Sequence, residues 1–188
     1  MDDAALREAK RALRTRARAL RDALPEEERL RAGAEIRKQL LDELTPLPKR
    51  ISFFAAIGAE VDVTPIVPAL VEIGAEIYFP RVEGERIAFR RASLEELSPG
   101  TWGIPEPTTT APEAASLDVM IVPGVAFDAK CRRLGNGKGF YDRAIAAIRP
   151  GRTIGVCFQA QLVDAVPVGK HDAVLDAVIT ERETIRRV

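Results

Sequence analysis

The sequence predicts an α/β fold: three αβα layers around a mostly parallel central sheet, with a helical N-terminus. Three observations predict it. Residues 4–44 carry their apolar side chains at helical spacing and contain no strand-like run. From Ile51 onward, short apolar runs alternate with helical segments, the pattern of parallel strands joined by crossover helices. The composition of 188 residues, with 46% hydrophobic and 28 Lys+Arg against 28 Asp+Glu, is that of one globular domain spanning 1–188. A chain of this size builds a substantial core without disulfides or a structural metal.

The elements follow in order. Leu6, Ala9, Leu13, Ala17, Leu20 and Leu24 place an amphipathic helix over Ala4 to Leu24. Pro25 at a first helical position, followed by Glu26, Glu27 and Glu28 at the positive dipole end, opens a second helix that runs to about Leu44 before Pro46 and Pro48. Ile51 to Ile57 is apolar and aromatic, as a buried strand requires. Thr64-Pro65 resembles an N-cap with proline at N1, starting a helix through Ile73. Strands are expected at Glu76 to Phe79 and, half-exposed, at Arg86 to Arg91. Ser98 to Pro112, with four prolines and two glycines, reads as loop. An apolar strand at Asp118 to Val122, a glycine-rich loop and a helix at Tyr141 to Ile148 come next, then strands at Thr153 to Phe158 and Leu175 to Thr180.

Several function classes are excluded by residue supply. Cys131 and Cys157 make no disulfide framework or zinc pattern, and His171 is the only imidazole, so a His-rich metal site is impossible. No G-x-S-x-G elbow accompanies His171, and a lone loop histidine is more often structural than a base. Met1 to Ala5 leads into a basic helix rather than an apolar signal core, and no 18-residue apolar run occurs. The expectation is a cytoplasmic protein with no membrane partner, a monomer or weak homodimer. The first helix is markedly basic, but charge balances over the chain and no aromatic residues interleave the stripe, which argues against a nucleic-acid partner.

Arg133-Leu134-Gly135-Asn136-Gly137-Lys138-Gly139-Phe140-Tyr141-Asp142-Arg143 is the most informative segment, lying between an expected strand and an expected helix. Glycine at every second position permits positive φ and leaves no Cβ, so successive N–H groups can converge on an anion at a helix N-terminus. The spacing is neither the dinucleotide-binding nor the Walker pattern. Phosphate binding is the favoured reading and a flexible turn the alternative. Asp142 either faces the helix dipole or, beside a phosphate, ligates Mg2+; Asp172 is a second candidate whose bland reading is surface solvation. Lys10 and Arg14, four residues apart, share a helix face that reads on residues alone as solvated.

The run Val122-Pro123-Gly124-Val125-Ala126-Phe127-Asp128, followed by the glycine segment, resembles the signature of the 5-formyltetrahydrofolate cyclo-ligases, or methenyltetrahydrofolate synthetases. Lys10-x-x-Leu13-Arg14, Glu60-x-Asp62-x-Thr64, Trp102-Gly103-Ile104-Pro105-Glu106-Pro107 and Pro167-x-x-x-His171-Asp172-x-x-Leu175-Asp176 are similar to that family's motifs in the same order. Two positions depart: Cys131 stands where glycine is usual, and Phe140 where tyrosine is common.

The resemblance implies the fold that the family shares with NagB/RpiA/CoA-transferase-like proteins. It also implies ATP- and Mg2+-dependent closure of 5-formyltetrahydrofolate to 5,10-methenyltetrahydrofolate, with release of ADP and phosphate. The formyl oxygen would attack the γ-phosphoryl group, N10 would close the ring, and phosphate would depart; such chemistry asks for cations and backbone donors more than a nucleophile. By resemblance, ATP would contact Lys10, Arg14 and Arg133 to Tyr141, that is Leu134, Gly135, Asn136, Gly137, Lys138, Gly139 and Phe140 between them. Lys138 and Arg14 would be catalytic, and Asp142 and Asp172 would hold the metal. The folate would meet Ala55, Glu60, Trp102 and Asn136 to Phe140. Trp102 suits either stacking on a flat ring or anchoring its loop. Glu106 is expected to be an exposed loop carboxylate and Phe54 a core residue. Two alternatives remain: a nucleotide-binding regulator without turnover, and a sugar-phosphate or CoA enzyme on a related scaffold.

Overall fold

The computed structural model of the chain describes residues 2–187; Met1 and Val188, the ends of the expected 1–188 domain, lie outside the described residues. In chain order the elements are α1 (Asp3–Asp22), α2 (Glu26–Glu43), β1 (Arg50–Ser52), α3 (Val67–Glu72), β2 (Glu76–Glu83), β3 (Arg86–Arg91), β4 (Ser98–Pro99) and β5 (Pro105–Glu106). They continue with β6 (Val119–Val122), β7 (Ala126–Asp128), β8 (Arg133–Leu134), α4 (Phe140–Ile148), β9 (Arg152–Val156), β10 (Leu162–Val163), β11 (Ala177–Ile179) and β12 (Thr184–Arg186).

Seven strands form the central sheet in the order β12-β11-β9-β6-β1-β2-β3. Its interior pairings, β11 to β9, β9 to β6, β6 to β1 and β1 to β2, are all parallel, and an antiparallel strand closes each edge. Because strand side chains alternate, one set packs on each face. Ile51, Phe79, Ile121 and Ile179 join Ile36 and Leu40 of α2 and Leu70 of α3, whereas Met120, Val122 and Val178 join Ala144 of α4. Helices thus cover both faces of the sheet, as the sequence pattern predicts.

The Asp2 carboxylate caps α1 by accepting from the Ala5 amide at 2.7 Å. Leu13 and Ala17 pack this helix onto Val125, Ala126, Leu134 and Val166 around the small β10-β7-β8 sheet. Its basic face is thereby laid beside the segment that leaves β8.

Several boundaries differ from expectation. Pro25 occupies the N-cap of α2, one residue earlier than predicted. The strand expected to reach Ile57 ends at Ser52, and after the Phe53 amide bonds to the Tyr78 carbonyl the chain leaves the sheet. Thr64 is no N-cap: its amide and hydroxyl both donate to Asp62 Oδ1, and the chain passes through a 3-10 turn before α3. The strand from Glu76 extends to Glu83 in a hairpin with β3, whose Ile87, Ala88 and Phe89 are all buried rather than alternating. The 98–112 loop contains the β4–β5 pair. Strand β12 was not predicted.

Candidate active site

A cavity of about 850 Å³ opens at the carboxyl ends of β1 and β6, the edge at which parallel sheets usually receive ligands. Its lining includes every residue expected to contact ATP, folate or the metal: Lys10, Arg14, Ala55, Glu60, Trp102, the whole of Arg133 to Asp142, and Asp172. The residues that leave the sheet after β1 supply Phe54, Ala55, Ile57 and Glu60. His171 is exposed and is not part of this lining.

The glycine segment forms one wall. Gly137 and Gly139 hold φ of +98° and +67°, the left-handed region that strains any other residue. At Gly135 the reason is proximity, since a Cβ there would sit 2.5 Å from Arg133 Nη1. Arg14 reaches over from α1 and donates through Nε to the Gly135 carbonyl at 2.8 Å, and Arg18 donates to Asn136 Oδ1 at 2.7 Å. Among the described residues, the amides of Asn136, Gly137, Lys138 and Gly139 find no protein acceptor, and α4 begins without a side-chain cap. Open N–H groups at a helix start favour an anion.

Charge pairing sorts the cavity's cations into two groups. Lys10 is paired with Asp172, Arg133 with Asp142 at 2.9 Å, Arg11 with Glu8 at 2.8 Å and Arg7 with Asp3 at 3.6 Å. Arg14 and Lys138 form no ion pair among the described residues. Burial, and then the neighbouring Arg18 charge, lowers the pKa of Arg14 against the raising pull of Asp172, which lies near it without forming a direct ion pair. Lys138 Nζ lies 5.8 Å from the centre of the Trp102 ring, whose other neighbour is Phe140 at 6.0 Å.

Other side chains fix the far wall. The Arg133 guanidinium stands 5.8 Å over the Tyr141 ring and donates from Nη1 to the Pro123 carbonyl at 3.2 Å. Glu60 accepts from the Ile57 amide at 3.2 Å. Burial pushes its carboxyl above the usual range, against the lowering pull of that hydrogen bond and of Arg21 and Arg18. Tyr141 is likewise raised by burial and has no partner for its hydroxyl among the described residues.

Three sequence readings need revision. Glu106 is not an exposed loop acid: it is 2% exposed and faces Arg81 at 3.5 Å. Phe54 is buried as expected of core, yet it also lines the cavity. Trp102 does not anchor its loop to the core, for it stays 63% exposed at φ +58°. Arg7, Arg11 and Val82 also line the cavity and carry no local motif that marks them, and Ile104 joins them from the Trp102 motif.

The profile of the 5-formyltetrahydrofolate cyclo-ligase family matches residues 6–181. The 5-formyltetrahydrofolate cyclo-ligase of Mus musculus is 31% identical over 191 residues, covering 92% of this chain and 94% of its own. The Escherichia coli K12 protein of the same name is 32% identical over 139 residues, or 69% of this chain and 76% of its own. Among solved structures, the Aquifex aeolicus 5,10-methenyltetrahydrofolate synthetase superposes with a TM-score of 0.83 at 33% identity, covering 94% of this chain and 92% of that one. The Mycoplasma pneumoniae synthetase gives 0.76 at 25% identity, with coverage of 92% and 98%. A match that runs from α1 through β11, together with a solved relative that keeps the same architecture over nearly its whole length, places this chain in the 5-formyltetrahydrofolate cyclo-ligase family.

Proposed function

We propose that this protein catalyses the ATP- and Mg2+-dependent cyclisation of 5-formyltetrahydrofolate to 5,10-methenyltetrahydrofolate, with release of ADP and phosphate. The observation that carries the reading is the pair of cations without a direct ion pair among the described residues, Arg14 and Lys138, set beside the open amides of 136–139 in one cavity with Glu60. A terminal polyphosphate would supply the direct anionic partner that both cations lack. Glu60 suits the other substrate, because a carboxylate accepts from the adjacent N–H groups of a reduced pteridine. Ala55 and Trp102 would flank that ring.

In this reading the formyl oxygen bonds to the γ-phosphorus as the bridge to ADP breaks. N10 then attacks the formyl carbon, its proton leaves, and the carbon–oxygen bond breaks to release phosphate. Lys138 and Arg14 stabilise the charge that accumulates on the transferring group, and Lys10 adds a third cation along the same helix face. The amides of the glycine segment orient the phosphates so that the formyl oxygen lies in line. Glu60 and Trp102 hold the pteridine against rotation, while Arg133 to Tyr141 fix the nucleotide.

Two aspartates fit a hard cation. Asp142 uses Oδ1 for Arg133 and for the Ala173 amide, and Asp172 uses Oδ2 for Lys10 and for the Gly169 amide, leaving one oxygen of each carboxylate without a hydrogen bond among the described residues. No cluster of three His, Cys, Asp or Glu exists among the described residues to enclose a metal, so phosphate oxygens and water would complete the shell. Bound there, Mg2+ would neutralise phosphate charge. Purified protein mixed with 5-formyltetrahydrofolate, ATP and Mg2+ should gain the near-ultraviolet absorbance of the methenyl product and release ADP in equal amount. Nucleotide binding without folate-dependent ADP release would identify a regulator instead.

A further inference from the structure

We propose that Glu106, paired with Arg81, is a positioning residue for substrate binding: it seats the 98–106 loop so that Trp102 forms an aromatic wall beside Lys138. The inference rests on the folate reading above and adds to it the device that sets the wall. Strand β2 pairs with β1 only through Tyr78, so beyond that point one of its edges lacks a neighbouring strand. Glu106 fills the gap. Its Oε1 accepts from the Val82 amide at 3.3 Å, its Oε2 faces Arg81 Nη1 at 3.5 Å, and Arg81 also donates to the Pro107 carbonyl at 2.7 Å. The loop is thus bound to β2 at its base by groups that a sheet edge must satisfy anyway.

The base is tight and the tip is not. A Cβ on Gly100 would lie 2.5 Å from the Glu106 carboxyl carbon, so the loop closes directly over the carboxylate. The β4–β5 pair and the bond from the Gly100 amide to the Ile104 carbonyl, 2.9 Å, then throw Thr101 to Gly103 outward. Trp102 is held there in left-handed backbone geometry and is still 63% exposed as a residue. A large ring kept strained and unburied contributes little to the fold; such geometry persists only where the surroundings impose it. A buried ion pair is likewise weak support for stability compared with an apolar pair of the same size. Strain at the tip and charge at the base have one consequence in common, which is the location of the indole, 5.8 Å from Lys138 Nζ.

Trp102 is the only tryptophan, so collisional quenching of its fluorescence by acrylamide reads this loop alone. Glu106→Leu should raise the KM for 5-formyltetrahydrofolate about tenfold, leave the KM for ATP within about twofold, and change the quenching constant. Glu106→Gln keeps an acceptor for the Val82 amide and should recover most of both losses. If Glu106→Leu does not fold, Arg81→Met runs the same test from the other end of the pair. An unchanged folate KM and unchanged quenching would overturn the inference, as would a uniform loss in which both KM values and the melting temperature shift together. Parent protein without folate-dependent turnover would instead refute the functional reading on which it rests.

Discussion

Replacing Asp142 by asparagine separates the role that the structure shows for its carboxylate, neutralising Arg133, from the metal ligation proposed for it. Arg133 has a side chain only 4% exposed, and its charge is met by Asp142, itself 16% exposed, at 2.9 Å. Arg133 Nε has no partner among the described residues, so the guanidinium depends on that contact and on the Pro123 carbonyl. Removing one member of a buried ion pair costs roughly 3–5 kcal/mol, because the remaining charge is left uncompensated. Asparagine retains an oxygen for Arg133 and for the Ala173 amide, and a neutral hydrogen bond returns about 1 kcal/mol of that loss. The net is about 2–4 kcal/mol, which in a domain of this size lowers the melting temperature by roughly 5–15 °C. Calorimetry without nucleotide measures it. The double replacement Arg133→Met with Asp142→Leu should recover most of the stability and none of the turnover. A single variant melting within about 2 °C of the parent would refute the burial argument. At a temperature where Asp142→Asn is folded, the Mg2+ titration then addresses the second role. A metal ligand predicts activity partly restored by higher Mg2+, whereas a residue that only neutralises Arg133 predicts a loss that Mg2+ does not touch.

Lys138→Ala should lower turnover about a hundredfold or more while moving the melting temperature by no more than about 2 °C, since an exposed lysine without an ion pair contributes to chemistry and not to the core. Comparable losses of both would displace Lys138 from its proposed role. For Glu60→Gln the sign of the stability change follows from burial, which raises the folded carboxyl above its ordinary 4.5. A raised acid contributes stability below the unfolded pKa and loses it as pH climbs through the folded one, so the ionised parent is penalised at neutral pH. The glutamine variant should therefore melt higher than the parent at pH 7.5, with the gain vanishing below about pH 4.5, yet bind folate about ten- to a hundredfold more weakly by calorimetric titration. A lower melting temperature at pH 7.5 would contradict the desolvation argument. Cys131 is fully buried at φ +56°. Cys131→Gly should relieve about 1–2 kcal/mol of strain against a similar loss of burial and chain entropy and leave stability within about 1 kcal/mol of the parent, whereas Cys131→Val should be clearly destabilised. Equal denaturation midpoints for the glycine and valine variants would mean that the backbone there carries no strain.

What could be read in the chain divides by the range of the interactions involved. The amphipathic period of α1, the apolar strands of the parallel sheet and the glycines before α4 are set by neighbours a few residues apart, and the structure places them within a few residues of expectation. Elements of two or three residues carry no period: β4 pairs with β5, and β12 with β11, only a few residues along the chain, yet such short runs hold too few side chains to show alternation. The burial of Glu106 is set by distant chain instead, since its partners Arg81 and Val82 lie 25 and 24 residues away and the flanking prolines are those of an ordinary loop.

The site repeats the division with a functional consequence. The glycine segment was legible because φ and the missing Cβ are local properties, but the basic face of α1 read as solvated until the fold laid Arg14 against Gly135, 121 residues away. Composition gives 28 cations and 28 anions and no reason to prefer any of them. Only after each carboxylate has been matched to its neighbour do Arg14 and Lys138 stand apart in the cavity. That pairing locates the cations left without a direct ion pair among the described residues, which neither the motif nor the helix face establishes separately. An added phosphate or nucleotide should accordingly raise the melting temperature of the parent by mass action and do so far less in an Arg14→Met, Lys138→Met double variant, with equal shifts in both proteins showing that the unpaired cations are not what receives it.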